Sequence, residues 1–96
     1  MPIERHIKHL RALAHSRKPV VSIGRNGLTD PVMEEICKAL DHHELIKVKV
    51  AIGDREQRDA AIDQIQEQTG AELVQRVGFI ATLFRRNRDK PVITLP

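Results

Sequence analysis

The stretch SIGRNGLTD, from Ser22 to Asp30, sets Gly24 and Gly27 three residues apart with Arg25 and Asn26 between them. A glycine-rich turn that feeds a helix can aim several backbone N–H groups in one direction, and the helix dipole adds partial positive charge there. Glycine permits positive φ and lets another backbone come close. Arg25 can engage a phosphate in a bidentate manner, and Asn26 can hydrogen-bond to phosphate, ribose or base. The chemistry on offer is anion recognition. The spacing alone also suits an ordinary strand-to-helix turn, so the surroundings must decide.

No nucleophile, base and carboxylate stand in a recognisable catalytic context, and catalysis is not expected. His42, His43 and Glu44 could suggest a metal site, but neighbouring helical side chains diverge by about 100° and no further ligand set is evident. A histidine pair favoured by the negative end of a helix dipole accounts for them. Cys37 is the single cysteine, which excludes an internal disulfide and a thiolate zinc cluster. It reads as a small packing residue. Neither cofactor nor metal is expected.

The 96 residues suit one domain, 1–96, and the 41% of hydrophobic residues suffice for one core. No apolar run approaches the ~20 residues that cross a bilayer, and no segment reads as a signal peptide. A cytoplasmic setting is expected. Charge is distributed unevenly along the chain. Met1 to Arg25 holds Arg5, Lys8, Arg11, Arg17, Lys18 and Arg25 against Glu4, a balance of +5. Asp30 to Glu72 holds eleven acids and five bases, −6, and Leu73 to Pro96 holds Arg76, Arg85, Arg86, Arg88 and Lys90 against Asp89, +4. With a pI near 9.4, this segregation suggests an anionic partner, nucleic acid being the commonest.

Hydrophobic periodicity supplies the elements that must position these groups. Ile3, Ile7, Leu10 and Ala14 predict an amphipathic helix to about His15, with Arg5, Lys8 and Arg11 on its wet side. Val20 to Ile23 reads as a strand. A helix follows, capped by Asp30 or, in competition, Thr29, with Pro31 at its first position. Its inner face holds Val32, Met33, Ile36, Ala39 and Leu40. In LIKVKV, Ile46, Val48 and Val50 point one way and Lys47 and Lys49 the other, as in a strand with one buried and one wet face. Asp54 is placed to open a third helix with Ala61, Ile62 and Ile65 inside, and Gly70 to stop it. Leu73 to Val77 and Phe79 to Arg86 predict a hairpin hinged near Gly78. Phe79 and Phe84 are assigned to the core, so the chain lacks the aromatic platform of an RRM or OB fold and stacking should not dominate recognition. Ile93 and Leu95 predict a tail that packs in part. The order α-β-α-β-α-β-β implies parallel strands joined by right-handed crossovers, with helices on one face and a partly open sheet on the other.

LAHSRKPVVSIGRNGLTDPVMEEICKALDHHELIKVKV closely resembles the signature of the CRM domain, also called the YhbY-like family. The matching points are Lys18–Pro19 before the first strand, Gly24 to Gly27, Leu28–Thr29, and His43 to Val50, and the resemblance extends over nearly the whole chain. It implies an α/β fold (α+β, two-layer) like the C-terminal domain of translation initiation factor three, with a four-stranded mixed sheet in the order 1-2-4-3. It also implies RNA binding through the GxxG loop and association of single-domain bacterial members with large-ribosomal-subunit precursors. The KH domain likewise clamps nucleotide backbone with a GxxG loop, but there the loop joins two helices.

The expected function is therefore a monomeric, non-enzymatic RNA-binding protein that assists large-subunit assembly by binding rRNA. Gly24, Arg25, Asn26 and Gly27 would hold the RNA backbone. Arg5, Lys8, Arg11, Arg17, Lys18, Arg85, Arg86 and Arg88 would supply the electrostatic footprint. The alternatives are a protein-interaction module that recruits another assembly factor, and a splicing cofactor like multidomain plant relatives.

Overall fold

The computed structural model describes residues 3–95. A 3-10 turn, Glu4–His6, leads into α1 (Ile7–His15), followed by β1 (Val21–Ile23), α2 (Asp30–His43), β2 (Leu45–Val50), α3 (Arg55–Thr69), β3 (Glu72–Val77) and β4 (Ile80–Phe84). The four strands form one sheet in the order β1-β2-β4-β3. β1 and β2 run parallel, and β4 is antiparallel to both of its neighbours. Element order and sheet order agree with the sequence reading.

Alternation along the strands builds two hydrophobic clusters, one on each side of the sheet. Val21, Ile23, Ile46, Val48, Val50, Ala81 and Leu83 lie beneath Ile36 and Leu40 of α2 and Ala61, Ile62 and Ile65 of α3. On the other face, Leu10 and Ala14 of α1 cover Leu45, Val74 and Phe84, joined by Ile3 from the N-terminus and Ile93 from the tail. α1 shields only one end of this second face. Past it, Lys47 is half-buried, while Ser22 and Lys49 are exposed.

Local chemistry fixes the helix ends. Asp54 accepts the Gln57 N–H at 2.9 Å and the Gln57 side chain accepts the Asp54 N–H at 3.0 Å, a reciprocal capping box that opens α3. Gly70 closes it at φ +75°. The cap of α2 is Thr29 rather than Asp30: the Thr29 hydroxyl lies 3.4 Å from the Val32 N–H, and Asp30 begins the helix proper. Pro31 follows in the first turn, where its missing N–H costs nothing.

β3 contains a bulge between Leu73 and Gln75, since Leu73 pairs with Leu83 and Gln75 with Thr82. The extra residue, Val74, is buried in the cluster under α1. The bulge also reverses the faces of everything after it. Arg76 thereby turns toward α3 and meets Asp59 at 3.3 Å, instead of joining Lys47 and Lys49 on the open face.

Candidate nucleic-acid interface

The sheet has two chemically different ends, separated by the length of β2, about 16 Å. At the first end β1 runs out into Gly24–Gly27. The Ala51 N–H donates to Ile23 O there at 3.2 Å and the Val50 N–H to Phe79 O at 2.6 Å, so the GRNG loop, the start of α3 and the β3–β4 turn converge. At the second end Leu45 pairs with Phe84, beside Glu44, Arg85 and the tail.

The GRNG loop is a tight turn in which the Gly27 N–H donates to Gly24 O at 2.9 Å and the Thr29 N–H to Gly27 O at 3.1 Å. Arg25 and Asn26 occupy its exposed tip. Among the described residues, the amides of Arg25, Asn26 and Leu28 have no acceptor. The two glycines serve different ends. Gly27 has φ +71°, which a side chain resists, whereas Gly24 has ordinary backbone angles and empty space where a Cβ would stand. Nothing within the fold demands a glycine at 24.

The N-terminus of α2 contributes less to an anion site than its position suggests. Pro31 has no N–H, the Thr29 hydroxyl faces the Val32 N–H, and Asp30 adds a carboxylate in the first turn. The groups left open at this end are the loop amides and Arg25 rather than the first turn of α2.

A basic strip leads away from the loop. Lys49 pairs in register with Ser22, and Lys47 lies two residues back on the same face, about 7 Å away. Lys47 borders a groove with Arg11 and His15 of α1 and with Gln75, Ile80 and Thr82 of the sheet. Arg5 and Lys8 are exposed farther along the N-terminal segment, and Lys18 is exposed before β1. Sequence reasoning placed Lys47 and Lys49 on the wet face but left them out of the candidate site.

The C-terminal arginines are corrected by the structure. Arg85 does not belong to a solvated footprint: its guanidinium donates to Thr69 O at 2.9 Å, Cys37 O at 3.3 Å and Asp41 Oδ1 at 2.6 Å. It thereby ties the C-terminal ends of α3 and α2 together, where the dipoles favour a cation. Arg86 is likewise committed, donating to Ile93 O at 2.6 Å and Glu44 Oε1 at 3.3 Å. Arg17 donates to Leu45 O at 2.7 Å, and Arg88 alone of the C-terminal trio is exposed.

Glu44 is the centre of this second end. It is fully buried and sits at φ +60°, an unusual conformation for a residue with a side chain. Its carboxylate accepts the N–H groups of Asn87, Val92 and Ile93, each at 2.6 Å. Burial pulls the carboxyl pKa up, but the Ile93, Asn87 and Val92 amides and the Arg86 guanidinium outweigh it and hold the group below its ordinary value. Glu44 anchors the tail. Its sequence context, beside two histidines, gives no sign of that.

Phe79 is the second correction. Assigned to the core, it is instead 51% exposed on the β3–β4 turn, and Phe84 alone is buried. Arg58 of α3 lies over its ring, with Cζ 4.9 Å from the centroid. A two-residue hairpin connection projects its residues to solvent, so Gly78 next to Phe79 was the signal available.

With this geometry in place, comparison with known proteins gives a consistent result. The model of the CRS1 / YhbY (CRM) domain matches residues 4–85. A Haemophilus influenzae protein named "RNA-binding protein" is 48% identical over 83 residues, 86% of this chain and 84% of that one. A Pseudomonas aeruginosa protein named "Probable RNA-binding protein" is 41% identical over 80 residues, covering 83% and 77% of the two chains. The solution structure of a hypothetical protein from Staphylococcus aureus superimposes with a TM-score of 0.83 at 30% identity, over the whole of both chains.

Proposed function

The chain belongs to the CRS1 / YhbY (CRM) family, and from that premise we propose that it binds RNA through the GRNG end of its sheet. The observation that carries the proposal is Gly24, whose missing side chain serves nothing inside the fold. With it gone, a sugar-phosphate backbone can lie against the loop and meet the free amides of Arg25, Asn26 and Leu28. Arg25 supplies charge and Asn26 a second hydrogen-bonding group. Lys49, Lys47 and Arg11 extend the contact along the open face, and Arg5, Lys8, Lys18 and Arg88 add to the field at longer range. Contacts of this kind position RNA by backbone and shape.

The protein acts without chemistry of its own: it belongs to the CRM family, and the relatives it matches are named RNA-binding proteins. Within that class we infer a large-ribosomal-subunit precursor as the target, bound in the cytoplasm by a monomer that assists assembly. Membership of the CRM family and the basic strip beside the GRNG loop support that reading. In-cell crosslinking with sequencing of the bound RNA tests it. Enrichment of large-subunit rRNA is expected, and crosslinks spread over messenger RNA would refute the target. Association with pre-ribosomal particles that survives thorough nuclease treatment would favour recruitment by a protein instead.

A further inference from the structure

We propose that Phe79 and Arg58 form a stacking site for one unpaired base of the RNA strand whose backbone crosses the GRNG loop; this rests on the RNA-binding reading above. Phe79 belongs to neither hydrophobic cluster, so the fold leaves a large aromatic ring in water. The ring is nevertheless held in place. The Arg58 guanidinium lies over it at 4.9 Å while donating to Gly53 O at 3.0 Å, which fixes the arginine. About half of the residue stays open to a second planar group.

The surroundings specify what that group is. Arg55, Arg58, Arg76, Gly78 and Phe79 line one depression of about 380 Å³. Asp59 pairs with Arg76 at 3.3 Å and lies 4.0 Å from Arg55, so one acid stands against three guanidinium groups. An exposed ring beside surplus positive charge suits a nucleotide, with the base on the ring and the phosphate on the arginines. The position agrees. Phe79 O accepts from Val50, whose neighbour Ala51 donates to Ile23 O, so the Phe79 backbone and the end of the strand that feeds the loop are two strand spacings apart, about 10 Å. A single strand of a few nucleotides can reach both.

The probes are a short single-stranded oligoribonucleotide carrying 2-aminopurine and a blunt duplex of the same sequence. Wild-type protein should quench the aminopurine. Phe79→Ala should lose the quenching and bind the single strand about 5- to 100-fold more weakly, with duplex affinity unchanged. Phe79→Trp should restore both signals and Phe79→Leu neither, which separates stacking from apolar contact. Unchanged single-strand affinity in Phe79→Ala, or equal loss on both probes, overturns the stacking site. The double substitution of Arg25 and Asn26 by Ala distinguishes the two readings. If it weakens binding and Phe79→Ala does not, the loop stands and the stacking site falls; if wild type binds neither probe, both fall.

Discussion

Replacing Glu44 by Gln removes one charge and one acceptor from a site closed to water, and the loss should appear as stability rather than as RNA affinity. In the wild type Oε1 accepts from Val92, Ile93 and Arg86, and Oε2 from Asn87. Glutamine offers one oxygen. Its best orientation keeps that oxygen on Val92 and Ile93 and turns donor against donor at Asn87. A buried amide left without an acceptor costs about 1–3 kcal/mol, and the remaining bonds lose their charge assistance. The expected total is about 2–4 kcal/mol. At about 4–8 °C per kcal/mol for a domain of this size, the midpoint should fall by roughly 10–30 °C.

The pH dependence gives an independent check. Glu44 has a folded pKa below its ordinary 4.5, so its contribution is complete above about pH 4.5 and lost as pH falls through the folded value. The stability gap between wild type and Glu44→Gln should be constant near neutrality and shrink in acid. Denaturation followed by far-ultraviolet circular dichroism measures it, since the chain has no Trp or Tyr for fluorescence. A variant within about 0.5 kcal/mol of wild type, or a gap that widens on acidification, would refute the anchoring role.

The remaining expectations separate the two ends of the sheet. Substituting Arg25 and Asn26 by Ala should weaken RNA binding about tenfold or more in fluorescence anisotropy, with the thermal transition nearly unmoved, since both side chains are exposed. Gly27→Val should cost about 1–3 kcal/mol in denaturation because of φ +71°, whereas Gly24→Ala should leave stability unchanged and impair binding alone. Arg86→Glu should destabilise by about 3–5 kcal/mol by setting a carboxylate against buried Glu44; an unchanged melting curve would contradict that. Arg11→Glu should spare stability and flatten the salt dependence, by about 0.7 in log–log slope for each phosphate no longer neutralised on a single strand.

How far the sequence could be read follows from where each interaction is encoded. The order of elements and the faces of β2 were legible because periodicity is local: Ile46, Val48 and Val50 announce a buried face without reference to anything else. The Asp54 cap was legible for the same reason, its partner Gln57 being three residues away. The choice between Thr29 and Asp30 was not, because either side chain can satisfy the same first amides. Arg85 and Arg86 were misread since their partners Thr69, Cys37, Glu44 and Ile93 are brought to them only by the fold. The bulge at Val74 was equally invisible, and with it the turning of Arg76 toward α3. Phe79 was a misjudged local signal: the turn at Gly78 was recognised, yet the ring beside it was counted as strand.

Charge along the chain and charge in space therefore differ in this domain. By sequence the basic residues sit at the two termini and the middle is acidic, which suggests a footprint made of both ends. In space Asp41 and Glu44 of the acidic middle engage Arg85 and Arg86, so the C-terminal positive charge is largely spent on holding helix ends and the tail. The bases of that same middle segment, Lys47, Lys49, Arg55 and Arg58, lie on the open face or at the end shared with Gly24–Gly27. An anionic strand approaching the GRNG loop thus meets cations from the stretch whose net charge is −6, although Asp30 and Asp54 of the same stretch also stand at that end. Removing charge at the loop end should cost binding, and removing it at the Glu44 end should cost the fold.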